Sequence, residues 1–569
     1  MNIFERTKLI AHIARWRWNW ERFDTAYAPD RELPPSFKSA REAAALIPDE
    51  ACVISCGIAG NARCSILFRA IREHFEQTGG PRGLTWISVA GQGGRGRVPG
   101  TVEEVARSGL VTRYITGHVE TAKAMLHLAD CNKLELHVLP QGEMTHIIEA
   151  QGYGRNVVKS ATGVGSFLDP RVGRGSPVTP RADLQLIEAG AHPDELIYTL
   201  PHIDVALFNA PYADHNGNIY FHHAATITEN IEAARAARHN GGLVCACVSG
   251  LIERDDKLIS LPAKDVDMIV INPDNEQTGS VPQKRYWPMF VPGTDQGNKD
   301  AVRRLRFINE TLRITPYRGP VDQALARLGA TTFVNHVSPG ATVNIGVGLA
   351  EEVCRVLCSS GVHKNITFTT ESGVYGGTPA SGIFFGAAVQ PMRLESSAWM
   401  FHHYAECLDA AMLGFLELDS AGNINLSNRG ERLTDYVGPG GAPSIIEAAQ
   451  TVFFIGKWMQ GARVVCNGER LQVKKAGMPK LVQQVHEVSF NGRVNLARGK
   501  QIFYVTDLAV LQLYEAGLKL LAVMPGIDIE RDLLANAQAD IIVPDNPPPM
   551  TVPAAVVTGR DFHLAWPHS

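Results

Sequence analysis

The chain has 569 residues, 45% of them hydrophobic, and a formal net charge of −4. This length exceeds what a single hydrophobic core organises, so we expect two large domains with additional segments. Without a basic block, the sequence gives no electrostatic support for binding to nucleic acid or to an anionic membrane, which favours small-molecule chemistry. No apolar stretch of the sequence approaches the length that spans a bilayer.

The ten cysteines form neither a CxxC pair nor a Cys/His ligand spacing. Most of them lie in apolar runs such as "LVCACV" and "EEVCRVLC", which predicts buried free thiols and a reducing, cytoplasmic location. The adjacent pairs His222-His223 and His402-His403 would point to opposite faces of a strand. We therefore expect no metal site.

Residues 1–36 are predicted to form an N-terminal helical arm that begins "MNIFERTKLIAHIARWRWNWERF". The stretch has no apolar secretory core, and Glu5, Glu21 and the lack of serine argue against an organelle-targeting helix. We expect the arm to pack its tryptophans on the body of the protein or on another subunit.

Residues 37–290 are predicted to form the first domain, because short apolar runs alternate there with helical periods. "ACVISCGI" predicts a strand, "CSILFRAIREHFEQTG" a helix that ends at glycine, and "GLTWISVAGQG" a second strand. The runs "IDVALFNA", "GGLVCACVSG" and "VDMIVINP" continue the pattern. Such alternation predicts an α/β fold of βαβ units with an open, mostly parallel sheet.

In the same run, "VAGQGGRGRVPG" contains a GxGxxG pattern at Gly91, Gly93 and Gly96. A dinucleotide site needs a helix to begin directly afterwards, but Arg97, Val98 and a proline interrupt it. The next strand, "VTRYITGH", ends without the acidic residue that binds a ribose hydroxyl. We reject nicotinamide binding and expect these glycines to allow a close approach of the backbone.

Residues 291–320 are predicted to be a linker with a basic helix, residues 321–545 a second domain, and residues 546–569 a tail. The second half repeats features of the first in the same order. Residues 337–357 repeat the turn, strand, Gly-rich bend and helix of residues 47–71, and "DSAGNINL" repeats the turn of "ADHNGNIYF". We predict a duplication that gives two similar open, mostly parallel-sheet domains in one chain.

The run "NITFTT" predicts a buried parallel strand in the second domain, which places Glu371 at the C-terminal end of that strand. Ligands bind at that edge of open α/β sheets. The small residues of "SGVYGGTPASG" leave space around the carboxylate and offer backbone N–H donors. In a purely structural alternative, Glu371 caps a helix or pairs with an arginine.

From residue 39 to about residue 545, the chain resembles the family I coenzyme A-transferases in their fused two-domain form, the acyl-CoA:acetate/3-ketoacid type. The resemblance is carried by stretches such as "LPQGEMTHI", "IDVALFNAPYADHNGNIYF", "VNIGVGLAEEV", "TTESGVYGGTPASG" and "MPGIDIERDLLA". It implies an enzyme that transfers CoA from an acyl-CoA to a free carboxylic acid, with no metal and no ATP. It also implies a homodimer or a homotetramer.

The resemblance implies that Glu371 is the nucleophile. Its carboxylate forms a mixed anhydride with the acyl group and then a glutamyl-CoA thioester, in a ping-pong sequence. For the oxyanions of these steps, the resemblance implies donors from the side chain of Gln92 and from the backbone of Gly440 or Gly441. The structural alternatives are a loop-stabilising amide for Gln92 and a tight turn for the two glycines.

For CoA itself, the resemblance implies contacts on the second domain. Gly346 and Gly348 in "IGVGLAEE" would lie near the pantetheine, and Gly376 with Gly377 would let the thiol end approach Glu371. Binding energy from the remote part of CoA would then help to drive the reaction of a weak nucleophile.

Several positions depart from the family pattern. Asn61 and Arg63 stand where smaller residues are usual, and "GLAEE" lacks a common proline. The glycine-rich stretch before "LD" is replaced by "FHHYAECLD", which would put Glu406 and Cys407 beside the acyl pocket. The acyl specificity of the family therefore does not transfer, and a larger or aromatic acid is our hypothesis.

Three other functions fit the same resemblance. In an acyl-CoA hydrolase, water would intercept the glutamyl intermediate. A carrier-protein variant would need a partner subunit, and a non-catalytic CoA-binding relative would keep only the fold.

Overall fold

The computed structural model describes residues 2–19, 21–29, 32–94, 99–275, 287–293 and 298–567. The predictions for Gly96, Arg97 and Val98 and for residues 294–297 of the linker lie outside these ranges. No described helix is both long enough and apolar enough to cross a membrane.

The described residues form thirteen α-helices, among them the predicted arm helix and the predicted helix that ends at Gly79. They are α1 (Ile3–Asn19), α2 (Ala40–Ala44), α3 (Ser65–Thr78), α4 (Lys123–Asp130), α5 (Gln141–Gln151), α6 (Asn230–His239), α7 (Asn298–Thr311), α8 (Pro320–His336), α9 (Leu349–Ser360), α10 (Ser397–Cys407), α11 (Ala442–Ala448), α12 (Gly492–Ala497) and α13 (Ala554–Thr558).

The first half of the chain forms one large sheet. In the described part of the chain its strands are β1 (Phe37–Lys38), β2 (Cys52–Ser55), β3 (Leu84–Ser88), β4 (Val111–Thr116), β5 (Glu135–Val138), β6 (Val205–Asp214), β7 (Ile219–Tyr220), β8 (Leu243–Ile252) and β9 (Met268–Ile271). The order is β1-β9-β8-β6-β2-β3-β4-β5, and β7 pairs with β6. Every pair in this order is parallel, and the β6–β7 hairpin is antiparallel.

The second half forms another large sheet, which has more antiparallel pairs. Its strands within the described ranges are β10 (Thr342–Ile345), β11 (Thr367–Thr370), β12 (Val374–Tyr375), β13 (Arg393–Leu394), β14 (Ala410–Gly414), β15 (Thr451–Gly456), β16 (Gln501–Thr506), β17 (Ala509–Tyr514), β18 (Gly517–Val523), β19 (Ile541–Ile542) and β20 (Met550–Thr551). The order is β13-β12-β11-β10-β14-β15-β16-β17-β18-β19, and β20 pairs with β18.

Smaller sheets accompany these two. The three-stranded one contains Val157–Ser160, Leu196–Thr199 and Ile187–Ala189. The two-stranded ones pair Thr378–Pro379 with Ala388–Val389, Glu417–Leu418 with Ile424–Asn425, Met459–Gln460 with Met478–Pro479, and Arg463–Asn467 with Arg470–Lys475.

The centres of the two large sheets have the same topology. The order is β9-β8-β6-β2-β3 in the first half and β16-β15-β14-β10-β11 in the second, and all of these pairs are parallel. Counted along the chain, both read fifth, fourth, third, first, second. This confirms the predicted α/β fold with two similar, mostly parallel sheets, while the boundaries of the domains stay predictions.

Helices cover both faces of the second sheet, so its strands alternate between two cores. On β10, Val343 and Ile345 point into the core that contains α8 and α9. On β14, Ala411 and Leu413 point into the core that contains Phe401 of α10 and residues of α11. Of the run "NITFTT", residues Thr367–Thr370 form the inner strand β11, while Asn365 is exposed. The predicted strand is confirmed, and it pairs parallel with β10 but antiparallel with β12.

The arm helix α1 packs on the body through its inner face. Ile13 is buried in a cluster with Phe290, Ile308 and Phe384. Trp18, in contrast, is 78% exposed, so for this side chain the expectation of packing on the body of the same chain is wrong.

All ten cysteines are free thiols, as predicted. The reason given for the histidine pairs is wrong, because neither pair lies on a strand. His222 and His223 lie in a turn with ring centroids 4.4 Å apart, and His402 and His403 are consecutive residues of α10. Within the described residues, no group of three or more His, Cys, Asp or Glu side chains is arranged to hold a metal ion.

Candidate active site

A cleft of about 1140 Å³ lies between the two halves, where the C-terminal ends of the central strands of both sheets meet. Backbone hydrogen bonds join the halves at this cleft: Gln141 N–H donates to the Gly440 carbonyl (3.1 Å), and Val119 N–H donates to the Val437 carbonyl (2.9 Å). The C-terminal edge is where open parallel sheets bind ligands. The topology therefore places this cleft at the expected ligand-binding edge of both sheets.

Glu371 lines this cleft directly after β11 and is only 8% exposed. Burial raises the pKa of the carboxyl, while its own backbone N–H and the Asn344 side chain act in the opposite direction. Among the described residues, Glu371 forms no ion pair. The carboxylate therefore faces a cavity and is not locked to an arginine, as the structural alternative would have it.

Asn344 and Tyr404 stand beside Glu371, although the sequence patterns did not single them out. Asn344 lies on β10 and lines the cleft, and its Nδ2 donates to the hydroxyl of Tyr404 on α10 (3.0 Å). Both side chains are almost completely buried. Burial, together with the charge of Glu371, raises the pKa of the Tyr404 hydroxyl.

The turn before α11 brings Gly440 and Gly441 to the cleft. Gly440 has a left-handed backbone (φ 62°), and its N–H donates to the carbonyl of Gly117 (2.7 Å). A Cβ atom on Gly441 would lie 3.6 Å from Cγ of Glu371, and the Gly441 N–H has no partner in the part of the chain that is described. Of the two glycines, only Gly441 offers a free N–H next to the carboxylate.

Gln92 is fully buried behind the cleft lining. Its Nε2 donates to the carbonyl oxygens of Ser55 (2.7 Å) and Gly57 (3.1 Å), and its Oε1 accepts from the Ser55 hydroxyl (3.0 Å). Both amide protons are thus used to hold the loop after β2. This geometry is that of the loop-stabilising amide, and an oxyanion role would require Gln92 to release one of these bonds.

The glycines predicted to contact CoA divide into two groups. Gly346 and Gly348 line the cleft, at the bend between β10 and α9, and Gly348 adopts φ 98°. Gly376 and Gly377 do not contribute to the cleft lining. They form a tight turn in which a Cβ on Gly377 would lie 2.4 Å from the Val389 carbonyl. The structure thus shows a turn that needs these glycines and does not bring them to the cleft, and their contact with the thiol stays a prediction.

Of the positions that depart from the family pattern, some lie at the cleft or at the contact between the halves, and others lie away from it. Glu406 and Cys407 are exposed on α10 and do not line the cleft, so the prediction that they flank an acyl pocket is wrong. The same helix presents Tyr404 to the site. Asn61 is buried and donates to the Phe385 carbonyl (2.6 Å), which ties the loop after β2 to the second half, and Arg63 lines the cleft.

Charged side chains line the cleft on both sides of Glu371, and sequence reasoning missed them. Burial raises the pKa of Glu351 to about 7 and lowers the pKa of Lys480 to about 8. Arg313 and Arg318 add positive charge at the end near α7. These residues come from segments far apart in sequence, so no local motif marks them.

The chain matches known proteins over most of its length. A sequence model of the family described as Coenzyme A transferase matches residues 37–272. The Caffeate CoA-transferase of Acetobacterium woodii is 32% identical over 513 residues, which cover 88% of this chain and 93% of that protein. The Acetate CoA-transferase YdiF of Escherichia coli K12 is 29% identical over 507 residues, which cover 87% of this chain and 90% of that protein.

The fold is also that of a solved structure. The acyl-CoA transferase YdiF from Escherichia coli O157:H7, in its thioester complex with CoA, superposes with a TM-score of 0.81 at 25% identity. The superposition covers 95% of this chain and 99% of that chain.

Proposed function

The chain belongs to the coenzyme A transferase family and is an enzyme that transfers CoA between an acyl-CoA and an acid, and we propose that it does so through a glutamyl-CoA thioester on Glu371. The observation that carries this proposal is the position of the carboxylate at the end of β11, in the cleft and without an ion pair among the described residues. The thioester complex of the similar YdiF structure supports the same chemistry.

The proposed reaction begins when a Glu371 carboxylate oxygen attacks the thioester carbonyl. The C–S bond breaks, CoA leaves as the thiolate, and a mixed acyl-glutamyl anhydride remains. The thiolate then attacks the glutamyl carbonyl, which releases the first carboxylic acid and leaves Glu371 joined to CoA through a thioester. A second acid reverses the two steps and leaves as its CoA ester.

Both half-reactions pass through tetrahedral oxyanions, which need hydrogen-bond donors. The free N–H of Gly441 lies beside Glu371 and is our candidate for one donor. Gly440 is the weaker candidate of the pair, because its N–H already donates to Gly117. Gln92 remains a proposal for the other donor that depends on a rearrangement of its loop.

The raised pKa of Glu371 sets the expected pH dependence. Only the ionised carboxylate is a nucleophile, and burial raises its pKa above the ordinary value. The rate of the first half-reaction should therefore fall as the pH decreases through this raised pKa.

We place CoA along the bend that contains Gly346 and Gly348. The N–H groups at the start of α9 and the cations Arg313 and Arg318 suit the phosphates of its nucleotide. The cleft wall also contains apolar side chains, among them Leu416, Leu426 and Val437. Such a wall favours an acyl group larger than acetyl, and the caffeate specificity named for one relative agrees with an aromatic acid.

An isotope-exchange assay tests the proposal with the protein alone. The enzyme is incubated with caffeoyl-CoA and ¹³C-labelled caffeate, and with acetyl-CoA and labelled acetate as a second pair. A ping-pong transferase exchanges label into the acyl-CoA without any second acid. Release of free CoA thiol without exchange would identify a hydrolase, and the absence of both with either pair would contradict the proposal for these acids.

A further inference from the structure

We propose that Tyr404 and Asn344 form a positioning pair that holds an amide N–H of Asn344 against the Glu371 carboxylate and so maintains the nucleophile in its reactive state. This inference rests on the proposed role of Glu371. It assigns a purpose to α10, the segment in which the sequence departs from the family pattern.

Asn344 occupies an unusual place for an amide. It is a central residue of the second sheet, with Thr369 of β11 and Ala411 of β14 as its direct neighbours across the ladder. The same face is otherwise covered by the apolar core that contains Phe401 and Leu413. Burial of an amide among apolar side chains is costly unless its hydrogen bonds are formed, so its presence here needs a reason.

Tyr404 supplies one of these hydrogen bonds. Its ring is held by packing on α10 and by an edge-to-face contact with Phe401, whose ring centroid is 5.8 Å away. Nδ2 of Asn344 donates to the hydroxyl at 3.0 Å, which uses one of the two amide protons. With the amide fixed in this way, the other proton is available to the carboxylate of Glu371.

The electrostatics of the site agree with this arrangement. Hydrogen bonding by Asn344 lowers the pKa of Glu371 against the effect of burial, and the charge of Glu371 raises the pKa of Tyr404. Oδ1 of Asn344 has no partner within the described residues, although the side chain is fully buried and lines the cleft. A buried amide whose oxygen has no hydrogen-bond partner, at the wall of a cleft, indicates a group that serves a ligand site and not only the core.

The other titratable groups around the cleft come from several elements. Besides Glu371 itself, the charged and titratable residues of the lining are Arg17, Arg63, His118, Glu120, Arg313, Arg318, Glu351, Arg429, Lys457 and Lys480. Tyr404 is the group through which α10 reaches the carboxylate, so a change there should act on Glu371 and leave the remaining groups in place.

The test measures how fast the Glu371–CoA adduct forms in a single turnover with acyl-CoA as the only substrate, from about pH 5 to pH 9. Without a second acid, no acceptor titrates in this range. In Tyr404→Phe, Asn344 should no longer be held against Glu371, so the ionised carboxylate loses its hydrogen bond. The acid limb of the pH–rate profile should therefore move to higher pH by roughly one unit. Below the acid limb the rate should therefore fall by up to about 10-fold, and at high pH it should return toward the wild-type value.

A matched control removes a buried hydroxyl elsewhere. Tyr114 is fully buried in the first half, and its hydroxyl is 2.6 Å from the Ser88 hydroxyl. Tyr114→Phe should lose a similar amount of stability and leave the acid limb in place. If Tyr404→Phe does not fold, Asn344→Leu provides the same test, with a shift of the limb in the same direction.

The outcomes distinguish a failure of the proposed function from a failure of the positioning pair. No adduct on Glu371 in the wild-type protein would reject the proposed function. Adduct formation in every variant, with an acid limb at the same pH in Tyr404→Phe and Asn344→Leu as in the wild type, would reject the positioning pair alone.

Discussion

The two halves build the same central strands and end them with different residues. In the second half, β11 is followed by Glu371, which faces the cleft. In the first half, the strand with the same place in the sheet is β3, and Val89 is the residue that corresponds to Glu371. Similarly, Ile54 of β2 corresponds to Asn344 of β10. One half thus holds a polar pair where the other holds two apolar residues.

The pairing registers establish this correspondence. Ile54 pairs with Ile87 as Asn344 pairs with Thr369, and two residues further along lie Val89 and Glu371. The register to the neighbouring strands gives an independent check, since Val53 pairs with Val205 as Val343 pairs with Ala410. Asp214 follows Val205 at the same distance along the chain as Asp419 follows Ala410. The correspondence therefore also aligns these two aspartates, each of which begins the turn that both halves share.

The comparison shows that the fold fixes where a ligand can bind and leaves the chemistry to a few side chains. In the first half, the loop after β3 is used to hold structure, because Gln92 is fully engaged with the loop after β2. In the second half, the equivalent edge keeps a carboxylate and a free backbone donor at the cleft. The first half contributes a wall of the cleft, and the second contributes the proposed nucleophile.

The largest expected effect comes from replacing, one at a time, the two residues that differ between the corresponding strand ends, Glu371 and Val89. Glu371→Gln should lower kcat on the order of 10⁴-fold, because a neutral amide cannot form the anhydride. Val89→Ala, at the corresponding position, should leave kcat close to the wild-type value and cost about 1–3 kcal/mol of stability. Steady-state transfer rates and thermal unfolding measure both. Equal losses of kcat in the two variants would break the comparison.

A smaller effect is expected from the turn that borders Glu371. A methyl group on Gly441 would lie 3.1 Å from Ile445 Cδ1 and 3.6 Å from Glu371 Cγ. The contact with Glu371 is an ordinary one, but the tighter contact with Ile445 should shift the turn that carries the donor, so Gly441→Ala should lower kcat by roughly 10- to 100-fold. The neighbouring Gly440 has open space around it but a left-handed backbone, so Gly440→Ala should cost about 1 kcal/mol of stability and keep most of kcat.

The result to look for is the ranking of these two variants, with kcat determined on protein shown to be folded by circular dichroism. A greater loss of kcat in Gly440→Ala than in Gly441→Ala would show that the donor assignment is wrong.

The smallest effect should be shared by both halves. Asp214 accepts from the Asn218 side chain at 2.7 Å, and Asp419 accepts from the Asn423 side chain at 3.0 Å. Asp214→Ala and Asp419→Ala should each reduce stability by about 1–3 kcal/mol, since each leaves turn donors without an acceptor. Thermal unfolding should shift by similar amounts, and kcat at low temperature should change little. A loss of activity in only one of the two variants would indicate that this turn also has a catalytic role.

Much of the fold was predictable because its signals are local. The strands, the helix that ends at Gly79 and the repeated turn at Asp214 and Asp419 all follow from runs of a few residues. Glu371 was predictable for the same reason, since a β-branched run followed by small residues marks a strand end. The sequence therefore located Glu371 at the edge of the sheet, while its role as the nucleophile was implied by the family resemblance and stays a proposal.

The partners of Glu371 were not predictable, because they are set by packing between distant segments. In the sequence, Asn344 is part of an ordinary strand pattern. Tyr404 lies in a helix in which the sequence analysis singled out Glu406 instead. The sequence also does not show whether a pair of glycines lines a binding site or only forms a turn. Gly376 and Gly377 form a turn, and the structure is needed to see that they do not line the cleft. For Gln92, the family resemblance implied a donor, while the fold uses both amide protons elsewhere.

The most direct test of the account is a map of where CoA becomes attached. The wild-type protein is incubated with acyl-CoA without a second acid, quenched, digested at low pH and examined by mass spectrometry. We predict one CoA per chain on the peptide that contains Glu371, and none in Glu371→Gln. An unmodified peptide, together with full transfer activity in Glu371→Ala, would contradict the account.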